Sequence, residues 1–137
     1  MRSLLKRSPH LNLRPIVFTV TSIDMKPIIL KSDKFLDSVS WFFKVGGITL
    51  FPFIIVREKT NKTTINHESI HIAQYIELLV IGFLVLYLWD WVRGLIKYKD
   101  TNVAYRKIRL EQEAYEYQRR FTYLDKREWF AWKKYKV

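Results

Sequence analysis

Hydrophobic and polar residues divide the chain into two textures. All four prolines, Pro9, Pro15, Pro27 and Pro52, fall within the first 52 residues. From Phe53 onward nothing blocks long helices. The first 60 residues therefore read as irregular chain with short extended pieces, and the remainder as helix. Ile16 to Thr21 is β-branched and predicts a strand. Asp33 to Lys44 (DKFLDSVSWFFK) predicts a short amphipathic helix ended by Gly46-Gly47. Ile48 to Arg57 (ITLFPFIIVR) has strand composition, and Pro52, which removes a ladder donor, places it at an edge or a kink. Glu58 to Thr64 is polar and reads as a loop, with Thr63 or Thr64 as the expected N-cap of the next helix.

That helix is predicted from about Ile65, apolar as far as Ile96 with Glu77, Asp90 and Arg93 as interruptions. After a polar segment, Lys97 to Asn102, a second helix is predicted over Val103 to Phe121, rich in helix formers and charges. A last helical piece is expected over Lys126 to Lys136. The fold class is mainly α (α+β): a helical core with a few short N-terminal strands and an apolar segment that is either a helical hairpin or a membrane segment. One domain is expected. It comprises an irregular part over residues 1–64, a helical part over 65–121 and a basic-aromatic tail over 122–137.

Composition narrows the chemistry. There is no Cys, which excludes disulfides and Cys-based zinc knuckles, so any metal site must use His and carboxylates. The formal net charge of +11 suits nucleic acid, an anionic membrane surface or an acidic partner. In the tail, seven Lys or Arg between Arg119 and Lys136 interleave with Trp129, Phe130, Trp132 and Tyr135. That mixture suits a membrane interface or stacking on bases; a solvated amphipathic helix is the plain alternative. The N-terminus is not expected to be a signal peptide: its basic stretch is long, its apolar stretch short and rich in Thr and Ser.

Two of the three histidines stand at i and i+4, in His67-Glu68-Ser69-Ile70-His71. On a helix both imidazoles lie on one face and can reach one tetrahedral Zn²⁺. Glu68 lies about 100° round the helix. It is therefore placed to act as general base on a zinc-activated water rather than as a ligand. A catalytic zinc needs a third protein ligand. His10 is remote and Glu77 is about 15 Å along the same helix from His67. The candidates are Glu111, Glu113 and Glu116.

With these residues the stretch from Ile65 to Gln118 resembles the gluzincin branch of the zincin metallopeptidases. In that branch a downstream helix supplies a glutamate ligand, commonly in Glu-x-x-Ala-Asp or Glu-x-x-Cys-Asp. Aligning on Ala114 implies Glu111 as the third ligand; the family's Asp falls on Tyr115, so that carboxylate partner is missing. The nearest type is the short, apolar, membrane-associated zincin-like protein. The resemblance also implies that Ile48 to Arg57 is an edge strand aligning an extended substrate. Helical geometry puts Glu111, Tyr115 and Gln118 on one face and Glu113 roughly opposite. Glu113 and Glu116, among Arg106, Arg109, Arg119 and Arg120, then read as surface ion pairs. Tyr75, Tyr105 and Tyr115 are candidates for stabilising an oxyanion.

A straight membrane span and a complete metal site exclude each other. A straight helix from His67 to Tyr98 would be about 45 Å long. Glu111 is 13 residues beyond Tyr98, a reach of about 45 Å only if fully extended. If Glu111 is a ligand, the chain must turn back between Gln74 and Asp100, with Gly82 or Trp89 to Gly94 as the expected break. Arg57, Lys59 and Lys62 before the apolar segment balance Arg93, Lys97 and Lys99 at its end, so the positive-inside rule assigns no side.

The sequence thus leads to a membrane-associated or integral zinc metallopeptidase that hydrolyses peptide bonds, with His67, His71 and Glu111 as ligands and Glu68 as base. Peptide substrate and membrane lipid are its expected partners. The alternative is a non-catalytic single-span or peripheral membrane protein whose C-terminus binds lipid or a partner. A nucleic-acid binder fits least, since no recognised motif supports it and the apolar run is unexplained.

Overall fold

The computed structural model describes residues 27–40 and 46–137. The strand expected at Ile16 to Thr21 lies outside these residues. Strand β1 (Ile28–Lys31) leads into helix α1 (Asp33–Val39), whose N-cap Ser32 accepts a hydrogen bond from the Phe35 amide. Residues 41–44 of the helix expected to continue to Lys44 lie outside the described residues.

The single extended segment expected over Ile48 to Arg57 is two strands, β2 (Gly47–Leu50) and β3 (Phe53–Val56), paired antiparallel. Pro52 sits in the turn between them, where its missing N–H costs no ladder bond. Strand β1 joins β3 in parallel, giving the order β1-β3-β2. Strand β3 is therefore central and β2 lies at an edge. Ile54 and Val56 point from β3 onto Ile72 of the long helix, which seats the sheet against it.

That helix, α2 (Lys62–Tyr98), is capped by Asn61, whose side chain accepts from the Thr64 amide. The cap thus falls two to three residues before the expected Thr63 or Thr64; Asn is at least as good an acceptor there. By length and composition α2 is apolar enough to cross a membrane. It is not one straight rod. Leu79 has φ 57° and ψ 167°, a region that strains any residue with a Cβ. There the chain turns back. Tyr75 and Phe83 would lie about 12 Å apart along a straight helix, yet their rings stack at 3.7 Å. The fold-back required by the reach of Glu111 is present, but the break is at Leu79, not at Gly82 or in 89–94. The stacking of Tyr75 on Phe83, rather than a local breaker residue, holds the bend.

The second helix expected over Val103 to Phe121 is two, α3 (Thr101–Arg106) and α4 (Arg109–Tyr117). Asp90 of α2 explains the break: it is fully buried and accepts from both the backbone amide and the guanidinium of Arg109 at the start of α4. Ala104 of α3 packs so closely on Gly94 that a Cβ there would lie 3.0 Å from it. In the tail, the expected Lys126 to Lys136 helix is replaced by a short helix, α5 (Tyr123–Lys126), and a 3-10 turn at Ala131–Lys134. Trp132 from that turn joins Tyr75, Phe83, Ile108 and Leu110 in the main core.

Candidate metal centre

His67 and His71 lie on the first arm of α2, one turn apart, and Glu111 comes from the first turn of α4. The fold-back brings these elements together. All three side chains are buried, and they form a group able to hold a metal ion. Their ligand atoms lie within 4.8 Å of one another, and each histidine approaches a different oxygen of the Glu111 carboxylate. The two Nε2 atoms are 3.2 Å apart, His67 Nε2 is 3.3 Å from Glu111 Oε2, and His71 Nε2 is 3.4 Å from Glu111 Oε1. Two imidazole nitrogens facing each other at this distance can share at most one proton, and Glu111 Oε2 is buried with no hydrogen-bond donor among the described residues. A cation held among them would satisfy these atoms.

The surrounding groups orient the cluster. His71 Nδ1 donates to Gln74 Oε1 at 2.7 Å. The amide nitrogen of Gln74 is committed to the Leu110 carbonyl and to Glu113, so its oxygen must face the histidine. That fixes the proton on Nδ1 and leaves the Nε2 lone pair for a metal. Tyr87 donates to Glu111 Oε1 at 2.8 Å. The Tyr115 ring meets His67 edge-on at 4.7 Å. His67 Nδ1 has no hydrogen-bond partner among the described residues, in keeping with Tyr115 standing where a carboxylate partner was expected.

Electrostatics couple the group. Burial alone would lower the His71 pKa, but the Glu111 carboxylate, helped by Glu68, outweighs it and raises it to about 9. Burial would raise Glu111, and the two histidines reverse this, holding it well below the usual carboxylate range. Glu68 goes the other way: burial raises its pKa, and His71, His67 and the Thr49 hydroxyl only partly offset that. Its Oε2 accepts from Thr49 Oγ1 at 2.7 Å. Gly47 lets β2 approach it, since a Cβ at that position would lie 3.0 Å from Glu68 Oε1.

A cavity of about 250 Å³ opens on Glu68, His71 and Glu111. Its walls include Tyr75, Phe83 and Leu84, and all four residues of β2. Successive strand residues point to opposite faces, so it is the edge of β2 that borders the cavity. No other strand among the described residues pairs with that edge.

The remaining expectations divide. Glu77 is not part of the metal cluster. Together with Glu113 it surrounds Arg127, which is fully buried. Glu113 is therefore not a surface ion pair as expected; it is buried, and also accepts from Gln74 and Tyr123. Only Glu116 has the exposed pairing, with Lys134. Tyr75 donates to the Thr49 carbonyl, Tyr105 lines the cavity, and Tyr115 packs on His67. Gln74, Tyr87 and Thr49 were not singled out as site residues by the sequence, and Gly47, expected only as a helix stop, opens β2 beside Glu68. Only Gln74 carried a signal, one turn beyond His71 on the same face.

No protein-family model, no curated protein and no solved structure matches the chain.

Proposed function

We propose that the protein is a membrane-associated zinc metallopeptidase. The observation that carries this reading is the buried cluster of His67, His71 and Glu111, whose ligand atoms lie within 4.8 Å of one another, with Glu68 beside it. His67 and His71 would hold the ion through Nε2, and Glu111 through its carboxylate. The bound zinc would supply Lewis-acid polarisation of a peptide carbonyl and bring a water towards neutral pKa.

Glu68 is the base. Its raised pKa favours taking the proton of the attacking water and giving it to the leaving amine as the C–N bond breaks. The Thr49 hydroxyl holds the carboxylate in place. The edge of β2 would align an extended peptide by backbone hydrogen bonds, and the apolar walls around Tyr75, Phe83 and Leu84 favour a large apolar side chain next to the scissile bond. Tyr105, which burial and the nearby Glu111 keep protonated, stands in the cavity wall beside the site. Membrane association is supported by the length and apolarity of α2 and by its exposed apolar residues.

Glu68→Gln tests the chemistry. The variant should keep stoichiometric zinc and lose hydrolysis of an apolar peptide library; full activity in the variant would remove Glu68 as base.

A further inference from the structure

The second arm of α2, residues 80–98, has two apolar faces. One carries Phe83, Tyr87, Asp90 and Gly94 and packs on α3, α4 and Trp132. The other carries Ile81, Val85, Leu88, Val92 and Ile96 at helical spacing, all exposed, with Ile81 at 77% and Ile96 at 73%. A helix apolar all round needs a partner on every side, and a stripe this long exceeds the scattered apolar residues of an ordinary surface.

Charge selects the occupant. Helical rotation places Arg93 at the border of the stripe, about 100° round from its middle, and it is exposed. At the other end, the Phe130 amide donates to Glu77, just before the bend. This puts exposed Trp129 and Phe130 there, with Lys133 4.4 Å over the Phe130 ring. A second copy would set these cations, on a chain of net charge +11, against their own kind. An anionic bilayer complements them, and aromatic and basic residues flanking an apolar stripe suit its interface.

Geometry selects the orientation. The arm is about 28 Å long, close to the hydrocarbon thickness. However, α3 and α4 lie along its other face, bringing exposed Arg106 and Lys107 and the Asp90–Arg109 pair alongside. A perpendicular span would carry these charges into the hydrocarbon, which is costly. We propose that this arm lies flat in one leaflet of an anionic bilayer, with the stripe in the acyl boundary and Arg93 and Lys133 at headgroup level. Leu84, half-exposed, also forms part of the cavity wall. The mouth of the site would therefore open at the lipid surface, and the substrate class would be peptide segments lying on or emerging from it. This rests on the membrane association in the proposed function, and not on the metal site.

The chain has no Cys, so Ile81→Cys, Val85→Cys, Leu88→Cys, Val92→Cys and Ile96→Cys each accept a single spin label. Collision with oxygen and a nickel chelate then reports depth in mixed phosphatidylglycerol–phosphatidylcholine vesicles. All five labels should sit at one shallow depth. A depth that peaks near residue 88 and falls towards both ends would mean a span and overturn the proposal. The unlabelled full chain should pellet with the mixed vesicles and much less with pure phosphatidylcholine, and Leu88→Glu should weaken binding by about tenfold. Equal pelleting with both lipids would overturn the anionic preference. No pelleting, with a dimer in ultracentrifugation, would make the stripe an interface between copies and remove membrane association as well. Zinc content of the same preparations, which none of these outcomes should alter, reports separately on the metal site.

Discussion

His71 Nδ1 donates to Gln74 Oε1 across 2.7 Å, one turn along the same helix. The contact decides which nitrogen of His71 is free. Gln74 cannot rotate to offer its amide, because that nitrogen already bonds to Leu110 and Glu113. Gln74→Leu should therefore weaken zinc binding by about 10- to 100-fold, measured by competition with a chromophoric chelator. Unchanged affinity would mean that the orientation of His71 is set elsewhere.

Zinc binding should depend on pH with a definite sign. In the metal-free protein His71 holds its proton up to about pH 9, and the metal must displace it. Affinity should rise with pH from near-neutral towards about pH 9 and then level. The stability of the metal-free protein should move oppositely. The folded pKa of His71 is raised, so its contribution is complete below the unfolded value of 6.5 and is lost as pH rises through about 9. The depressed Glu111 contributes above its unfolded value of 4.5 and loses that contribution in acid. Thermal melts with and without zinc should diverge as the pH rises; a constant gap would argue against a protonated His71.

Gly47 separates metal binding from chemistry. A methyl group at this position meets Glu68 Oε1 and Cγ, not the metal cluster. Gly47→Ala should keep the zinc and reduce turnover by on the order of 100-fold, since small misplacements of a catalytic group cost about that much. Loss of zinc instead would show that β2 supports the ligands as well as the base.

The buried ion cluster of Arg127 with Glu77 and Glu113 should dominate the stability of the tail. Arg127→Met leaves two carboxylates buried without their cation, which should cost on the order of 3–5 kcal/mol in urea unfolding. Adding Glu77→Gln and Glu113→Gln should recover part of that loss. A single variant as stable as the parent would contradict the burial of the cluster.

Local chemistry was legible in the sequence and tertiary placement was not. His67 and His71 announced themselves by spacing. Helix phase said only that Glu111 and Glu113 could not both face the site, and Glu111 was implied by the resemblance through Ala114; the cluster brings in Glu111 and leaves Glu113 outside. The turn-back of α2 was legible from chain reach, but its location was not, because Leu79 carries no breaker signal and the bend is held by Tyr75 stacking on Phe83. The interruptions at Glu77 and Asp90 looked like charges unsuited to an apolar helix. Each has an arginine partner far along the chain, Arg127 and Arg109, and no periodicity could reveal those pairings. The strand segment hid a hairpin because Pro52 marks a turn and a kink equally well.

The most direct test is metal content. Purified full-length protein should hold one zinc per chain by mass spectrometry of the metal. His67→Ala and Glu111→Ala should lose it, whereas Glu116→Ala, which removes an exposed ion pair, should retain it. Wild-type protein that remains folded without stoichiometric zinc, at a pH where His71 is free to release its proton, would contradict the account.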